Sequence, residues 1–475
     1  MWNRRSRVRE YLQGALWVLP TAGVLLGLLG GAAMASLPVG DNSPLVRYLF
    51  QGTADDARQL LIVVSATMMT VTGIVFSLTV VSLQIASSQF SVRLLRTFMR
   101  DVPNQIVLAI FVCTFAYATG GLYTVGARVG GNSFVPRVAV SGSLWLVFLS
   151  TGALVFFLHR LVHSIQIDTI MEGVQRRTLA LVDDVYPAPD RPGADAVAPP
   201  PEPPPGAAEL LARRPGYVQV VDVDRLADLA GEHGATVRLV VTVGDYVTSG
   251  SRLGWWWSRA APAPSEDGHA RAGAPGQPVP ERARQAVHIG FERTLQQDPR
   301  FGLRQLVDIS LRALSPAIND PYTGVQVVHH LAAIESVLAA RAIVDDVRRA
   351  EDGSVLVWLP HPGFATYLEM GCAQIRRCGA HEPLVLAALL QMLSDVAARC
   401  VDPGRRAAVL AQIDLVAATA EEGVTQAADR ALVSAAADLA RRVAREPGMT
   451  APPPSAFGMV GAAATHRGDG HQPER

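Results

Sequence analysis

Long apolar runs come first along this chain, and short alternating ones follow. Four stretches carry no Asp, Glu, Lys, Arg or His: 11–37, 59–92, 104–127 and 138–158. Each exceeds the roughly 20 residues with which a helix crosses a hydrocarbon core of about 30 Å. The pattern predicts four membrane spans. Ala33-Met34-Ala35 resembles a signal-peptidase site behind an arginine-rich start. The apolar run Ala15–Ala35 is, however, longer than the roughly 7–15 residues of a signal core, so the first run is expected to be retained as a helix.

The second run is the most informative. From Leu60 to Val92 it predicts a helix about 50 Å long at about 1.5 Å per residue, long enough for its inner end to project into the cytosol. Along it Thr70, Gly73, Ser77, Val80, Gln84, Ser87 and Ser91 recur every three or four residues, and all but Val80 are small or polar. Such a seam has two readings. Small and hydroxyl residues, as in Gly73-x-x-x-Ser77, let helices approach closely in lipid; alternatively the seam faces water around an oligomer axis. Gln84 is the member least suited to lipid. No carboxylate, histidine or arginine stands inside a span, which disfavours a proton-coupled carrier or a voltage sensor.

After the fourth run, His159–Val185 reads as one helix leaving the membrane. His159 and His163 lie a turn apart, but no third ligand accompanies them and no metal is expected. Residues 187–208 form a proline-rich linker, 260–281 an Ala/Pro/Gly-rich disordered insert, and 446–475 a disordered tail. Between the first two, 209–259 is a small β-rich unit: Tyr217–Val221 and Val237–Val243 are β-branched runs flanking a short helix at Val223–Glu232. The string Val243-Gly244-Asp245-Tyr246-Val247-Thr248-Ser249-Gly250-Ser251-Arg252-Leu253 resembles the hairpin of biotinyl/lipoyl-like half-barrels, with turns at Gly244-Asp245 and Gly250. The acceptor lysine of that motif is missing, so a docking module is expected, not a carrier. Trp255, Trp256 and Trp257 are expected to pack within a strand.

The richest stretch is 293–324. Asp298-Pro299, Ser315-Pro316 and Asp320-Pro321 each pair an N-cap residue with proline at the first helical position, which predicts three helix starts. Leu303, Leu306, Val307, Ile309 and Leu314 give the first helix an apolar face, while Arg304, Asp308 and Arg312 form an i,i+4 charge ladder. A second helix continues from Pro321 through Val325, Val328, Leu331, Ile334 and Leu338. Val355–Leu359 reads as a strand. Helices are expected over Phe364–Arg377, Pro383–Val401, Arg405–Thr419 and Ala427–Arg445, together a helical bundle.

The 293–324 stretch, with FGLRQLVDIS and SPAINDP as they stand here, resembles a family of predicted bacterial membrane proteins classed as domain of unknown function 2254. SLQIASSQFSVRLLRTFMRD at 82–101 resembles the same family, as does the order of spans, β unit and helices over most of 1–440. Val92 stands where proline usually follows the serine. The resemblance implies a multi-pass bacterial inner-membrane protein and brings no activity with it.

The expected architecture is mostly α. A four-helix transmembrane domain (1–160) and an exit helix (161–186) lead, beyond the linker, to a cytosolic α+β region. That region combines the β half-barrel-like unit with a helical domain (282–445). Asn319 and Asp320 beside His329 and His330 invite an acid–base reading, but no Ser/His/Asp or metal-ligand spacing completes it. Arg293, Asp298, Phe301, Gly302, Arg304, Gln305, Asp308, Ser315, Pro316, Asn319, Asp320 and Pro321 are therefore expected to serve structure or a subunit contact, and neither an enzyme nor a cofactor is expected.

Charge sharpens the picture. The 42 basic and 42 acidic residues cancel, which argues against a nucleic-acid partner. All the basic residues are arginine, so no Walker A, Schiff-base or biotin-accepting lysine exists. Residues 1–158 carry net +6 and the remainder net −6. Arg4, Arg5, Arg7 and Arg9, with Arg93, Arg96 and Arg100, outnumber Arg47, Arg58, Arg128 and Arg137, which predicts cytoplasmic termini. Cys113, Cys372, Cys378 and Cys400 match no disulfide or zinc pattern and are expected to be buried thiols. The bilayer is the expected partner, along with further copies of the chain. The functional expectations are an oligomeric pore- or transport-like protein with a cytosolic gating domain, or a membrane-tethered scaffold or sensor, with a membrane enzyme third.

Overall fold

The computed structural model describes residues 17–37, 47, 49–89, 102–125, 128–129, 132–133, 135–164, 166–186, 200–259, 280–400, 402–446 and 448–457. The arginine arm at 4–9, the loop arginines at 93–100, Ser91, and most of the linker, insert and tail lie outside these. The chain divides between Ile170 and Met171 into two compact units.

Among the described residues the first unit holds four apolar helices long enough to cross a membrane: α1 (Val18–Ala35), α2 (Ala54–Gln89), α3 (Val102–Leu122) and α4 (Arg137–Ser164). A two-residue hairpin, β1 (Arg128–Val129) and β2 (Asn132–Ser133), joins the last two. α3 is the central helix and packs on the other three. Hydroxyl pairs bind the spans where no water competes: Ser65 with Thr119 at 3.1 Å, and Thr114 with Ser150 at 3.0 Å.

The sequence suggested one helix from His159 to Val185, but α4 runs to Ser164 and a separate helix, α5 (Ile167–Val185), follows. The two face different surroundings. α4 carries no charged residue or histidine from Val138 to Leu158, whereas α5 buries only Met171, Val174, Thr178, Leu181 and Val182 on one face.

The second unit joins a β part to a helical bundle. In chain order it runs β3 (Ala208–Leu211), β4 (Gly216–Val221), α6 (Val223–Glu232), β5 (Ala235–Leu239), β6 (Tyr246–Val247), β7 (Arg252–Ser258), α7 (Glu281–Arg284) and β8 (Val287–Gly290). Then come α8 (Pro299–Ala313), α9 (Pro321–Ala340), β9 (Asp346–Arg349), β10 (Val355–Leu359), α10 (Phe364–Cys378), α11 (Pro383–Arg399), α12 (Pro403–Gly423) and α13 (Ala427–Arg445). One sheet has the order β3-β7-β5-β10-β9 and a second the order β6-β4-β8. The β unit read at 209–259 thus draws β8, β9 and β10 from later in the chain. Val237, Trp256, Leu253, Val357 and Leu359 share its core with Leu226 and Leu229 of α6. The flanking tryptophans lie beside that core, and Trp255 is covered by the Arg238 and Arg252 guanidiniums at 5.6 and 5.1 Å.

In the bundle α11 is buried almost all round, from Val385 to Ala397. The segment from 446, read as a disordered tail, forms a 3-10 turn at Pro454–Phe457 whose Phe457 is buried and which packs on α11 and α13. An aromatic side chain gains enough from burial to hold such a turn. Cys378, expected to be buried, is exposed at the end of α10; Cys372 and Cys400 are buried as thiols.

Candidate functional site

Residues singled out from the sequence gather in two places, one in each unit. The first is the face of α2. At about 100° per residue, Ala57, Leu61, Val64, Met68, Val75 and Ser82 share one side of that helix, and all are buried against other spans. Thr70, Gly73, Ser77, Val80 and Gln84 fall on the opposite side and are exposed. A Cβ added at Gly73 would meet nothing within 4 Å. Ile62, Met69 and Phe76 flank this line on one side, and Val63, Ile74 and Val81 on the other; all six are exposed. Ser87 lies in α2, but its side chain, like the whole of Ser91, falls outside the described residues. The described part of the seam therefore packs on no other span of its own chain.

Close helix packing is supplied elsewhere, by a glycine repeat legible in the first span. Gly23, Gly27 and Gly31 recur every four residues on α1 and are buried. A Cβ at Gly23 would stand 2.7 Å from Ala109 O; at Gly27 and Gly31 it would lie closer still, to Cys113 O and Tyr117 O. Glycine is what allows α1 and α3 to touch backbone to backbone.

The second region is α8 with the turn that follows it, and Asp298 stands at its start. Asp298 precedes Pro299 as a cap should, yet its carboxylate makes no cap bond. It accepts Arg293 Nε at 2.5 Å and Nη2 at 3.1 Å, and Arg300 Nε lies 3.6 Å away. Asp298 is 1% exposed, so two guanidiniums must replace its lost hydration. Arg300 reaches on through Nη2 to Thr242 Oγ1 at 2.7 Å, Val243 O at 2.6 Å and Asp245 Oδ1 at 3.2 Å. The turn between them is Gly244, with φ +94, where a Cβ would overlap Asp298 Oδ2. Asp245 Oδ2 accepts the Thr242 N–H at 2.8 Å. The β-unit turn that resembled a biotinyl hairpin is thereby clasped to the bundle.

Beside this clasp the Tyr186 and Tyr367 hydroxyls share a hydrogen bond of 2.6 Å, with His361 Nδ1 3.4 Å from Tyr186. Burial pushes Tyr186 up to about 12 and Tyr367 further still, and it pushes His361 down against the pull of Asp346 and Asp345. Nothing in the sequence marks this trio, because the three residues are far apart along the chain and belong to no motif.

The remaining motif residues do local work. Asp320 caps α9, accepting Thr323 N at 3.1 Å and Thr323 Oγ1 at 2.6 Å, and these bonds hold its carboxyl below the usual carboxylate range. Pro321 follows at the first helical position. Ser315-Pro316 starts no helix: Ser315 Oγ donates to Arg312 O at 2.7 Å, Asn319 takes the left-handed φ +50, and Asp320 N–H returns to Ala313 O. Five residues before the next start are too few to repay helix nucleation. His329 and His330 stand more than two turns along α9 from Asn319 and Asp320. Arg304 pairs with Asp308 at 2.8 Å and reaches Gln374 at 2.7 Å, and Phe301 and Gln305 are buried.

The family model described as predicted membrane protein, DUF2254, matches residues 13–395. This chain belongs to that family. Uncharacterised proteins of Mycobacterium bovis and of Mycobacterium tuberculosis H37Rv are each 61% identical over 464 residues, covering 98% of this chain and 87% of theirs. No solved structure matches.

In this DUF2254 chain the motif helix α8 is also the seat of the exit helix. A Cβ at Gly302 would overlap Thr178 Oγ1 of α5. Further along α5, Gln175 Oε1 bonds His330 Nδ1, Asp183 pairs with Arg341, and Tyr186 ends the series against Tyr367. From Met171 onward the exit helix is thus part of the C-terminal unit's core.

Proposed function

We propose that the chain is a subunit of an oligomeric pore- or transport-like protein of the bacterial inner membrane. In this reading α2 surrounds the axis and the C-terminal unit is its cytoplasmic gating or sensing part. The observation that carries it is the exposed line Thr70, Gly73, Ser77, Val80 and Gln84, opposite the buried face of α2. Thr70 Oγ1 donates to Ala66 O of its own helix at 3.0 Å, but the Gln84 amide costs free energy against lipid tails unless water or another polar helix meets it. Small residues there leave room for either. The seam is uncharged, which suits passage without a fixed charge filter. The arginine distribution supports cytoplasmic termini. The four bonds and contacts of α5 give the C-terminal unit a stiff grip on the helix that leaves the membrane.

The test is thiol chemistry in intact membranes. Ser77→Cys and Gln84→Cys should react with a water-borne, membrane-impermeant reagent above the level given by the four native cysteines. The same variants should form intersubunit disulfides on oxidation. If both positions stay unreactive and uncrosslinked, the pore reading fails and a membrane-tethered scaffold or sensor takes its place.

A further inference from the structure

The turn between α8 and α9 ends in apolar side chains that the protein leaves uncovered. Ile318 is 47% exposed and Tyr322 71%, and Pro316 and Ala317 are exposed with them. The turn is stiff. Ile318 N–H and Asn319 N–H both bond Ser315 O, at 3.0 and 2.9 Å, and Asp320 N–H bonds Ala313 O at 2.8 Å. A tip held this firmly presents its apolar atoms permanently.

The register of α5 against α9 says which end of the unit carries this tip. Gln175 meets His330 and Asp183 meets Arg341, so the two helices run parallel and the start of α9 is level with the start of α5. That start is tethered. Ser164 closes the last apolar helix and Ile167 opens α5, so the connection spans at most about 11 Å. α10 starts beside Tyr186 at the far end of α5, and its Gly371 lies against Glu335 of α9, so it runs back and the α10–α11 turn reaches the same end. That turn exposes Leu384 at 48%. The clasp at Asp298 marks the opposite end, about 22 Å away along the 15 residues of α8.

We propose that the 315–322 turn is a membrane-surface anchor whose Ile318 and Tyr322 enter the lipid headgroup layer. Tyrosine suits that layer because its ring is apolar and its hydroxyl stays wet. The occupant is lipid and not a second copy because the tip sits at the tethered end of the unit. The inference rests on the four spans being in a bilayer and not on the pore reading.

The experiment uses the full chain in vesicles of phosphatidylethanolamine and phosphatidylglycerol. A photo-crosslinking benzophenone side chain replaces Ile318 or Tyr322, with Phe148 on α4 as the lipid-facing control and Tyr246 as the exposed control at the clasp end. Lipid adducts at 318 and 322 several times more abundant than at 246 support the anchor. It is overturned if 148 gives lipid adducts while 318 and 322 give none, if 246 matches 322, or if 322 crosslinks mainly to protein.

Discussion

Thr178 of the exit helix lies so close over Gly302 of the motif helix that a single added carbon at 302 would overlap its Oγ1. The contact joins the helix that follows the last apolar span to α8, the helix of the FGLRQLVDIS string. Gly302→Ala should therefore lower the thermal midpoint of the purified chain, followed by tryptophan fluorescence, at a cost of about 1–3 kcal/mol. Adding Thr178→Ala should recover part of the loss; a purely additive double variant would disprove the contact.

Asp298 should be the least replaceable carboxylate of the second unit. Asp298→Ala leaves Arg293 and Arg300 facing each other across a buried space, a change worth about 3–5 kcal/mol. Because Arg300 also holds the 242–245 turn, limited proteolysis should cut that turn faster in the variant. Unchanged cleavage would mean that the clasp does not hold the β unit.

Glu335 on α9 predicts a pH dependence. It is fully buried against Gly371 of α10, neither carboxyl oxygen has a hydrogen-bond partner among the described residues, and burial holds its carboxyl well above its ordinary value of 4.5. At low pH both folded and unfolded chains carry the proton, and its contribution is fully present. As pH rises past 4.5 the unfolded chain releases the proton while the folded one keeps it, so stability falls by about 1.4 kcal/mol per pH unit until the folded group ionises. Melts at pH 5, 6, 7 and 8 should show that slope in the native chain and a smaller one in Glu335→Gln. Equal slopes would assign the effect to other groups.

The two glycine positions in the spans should behave oppositely. Gly27→Leu drives a side chain into the α3 backbone and should lower the yield of folded protein in detergent, because α1 can no longer pack. At Gly73 an added Cβ meets nothing within 4 Å among the described residues, so Gly73→Leu should leave the monomer folded. If the seam is an intersubunit surface, the same variant shifts the oligomer to smaller species in native mass spectrometry.

Much of the fold was legible in the chain. The α6 helix at Val223–Glu232, the strand at Val355–Leu359 and the last helix at Ala427–Arg445 begin and end where their sequence patterns place them. The cap at Asp320 followed from the Asp-Pro pair. The same pair at Asp298 gave the helix start but misplaced the carboxylate. Two arginines, one five residues upstream, outcompete the backbone for it. Ser315-Pro316 carried the same local signature and formed only a turn.

The sequence by itself determined the four apolar helices and most helix starts, because span length, capping and proline's fixed φ are local quantities that a short window contains. Tertiary structure decided which side of α2 faces inward, that the glycines of α1 carry the close packing, and that β8, β9 and β10 complete the β unit. It also brought Tyr186, His361 and Tyr367 together. Each of these depends on which distant segment wins a limited surface or a buried charge. That competition is settled by packing across the fold and leaves no mark in any single stretch of chain.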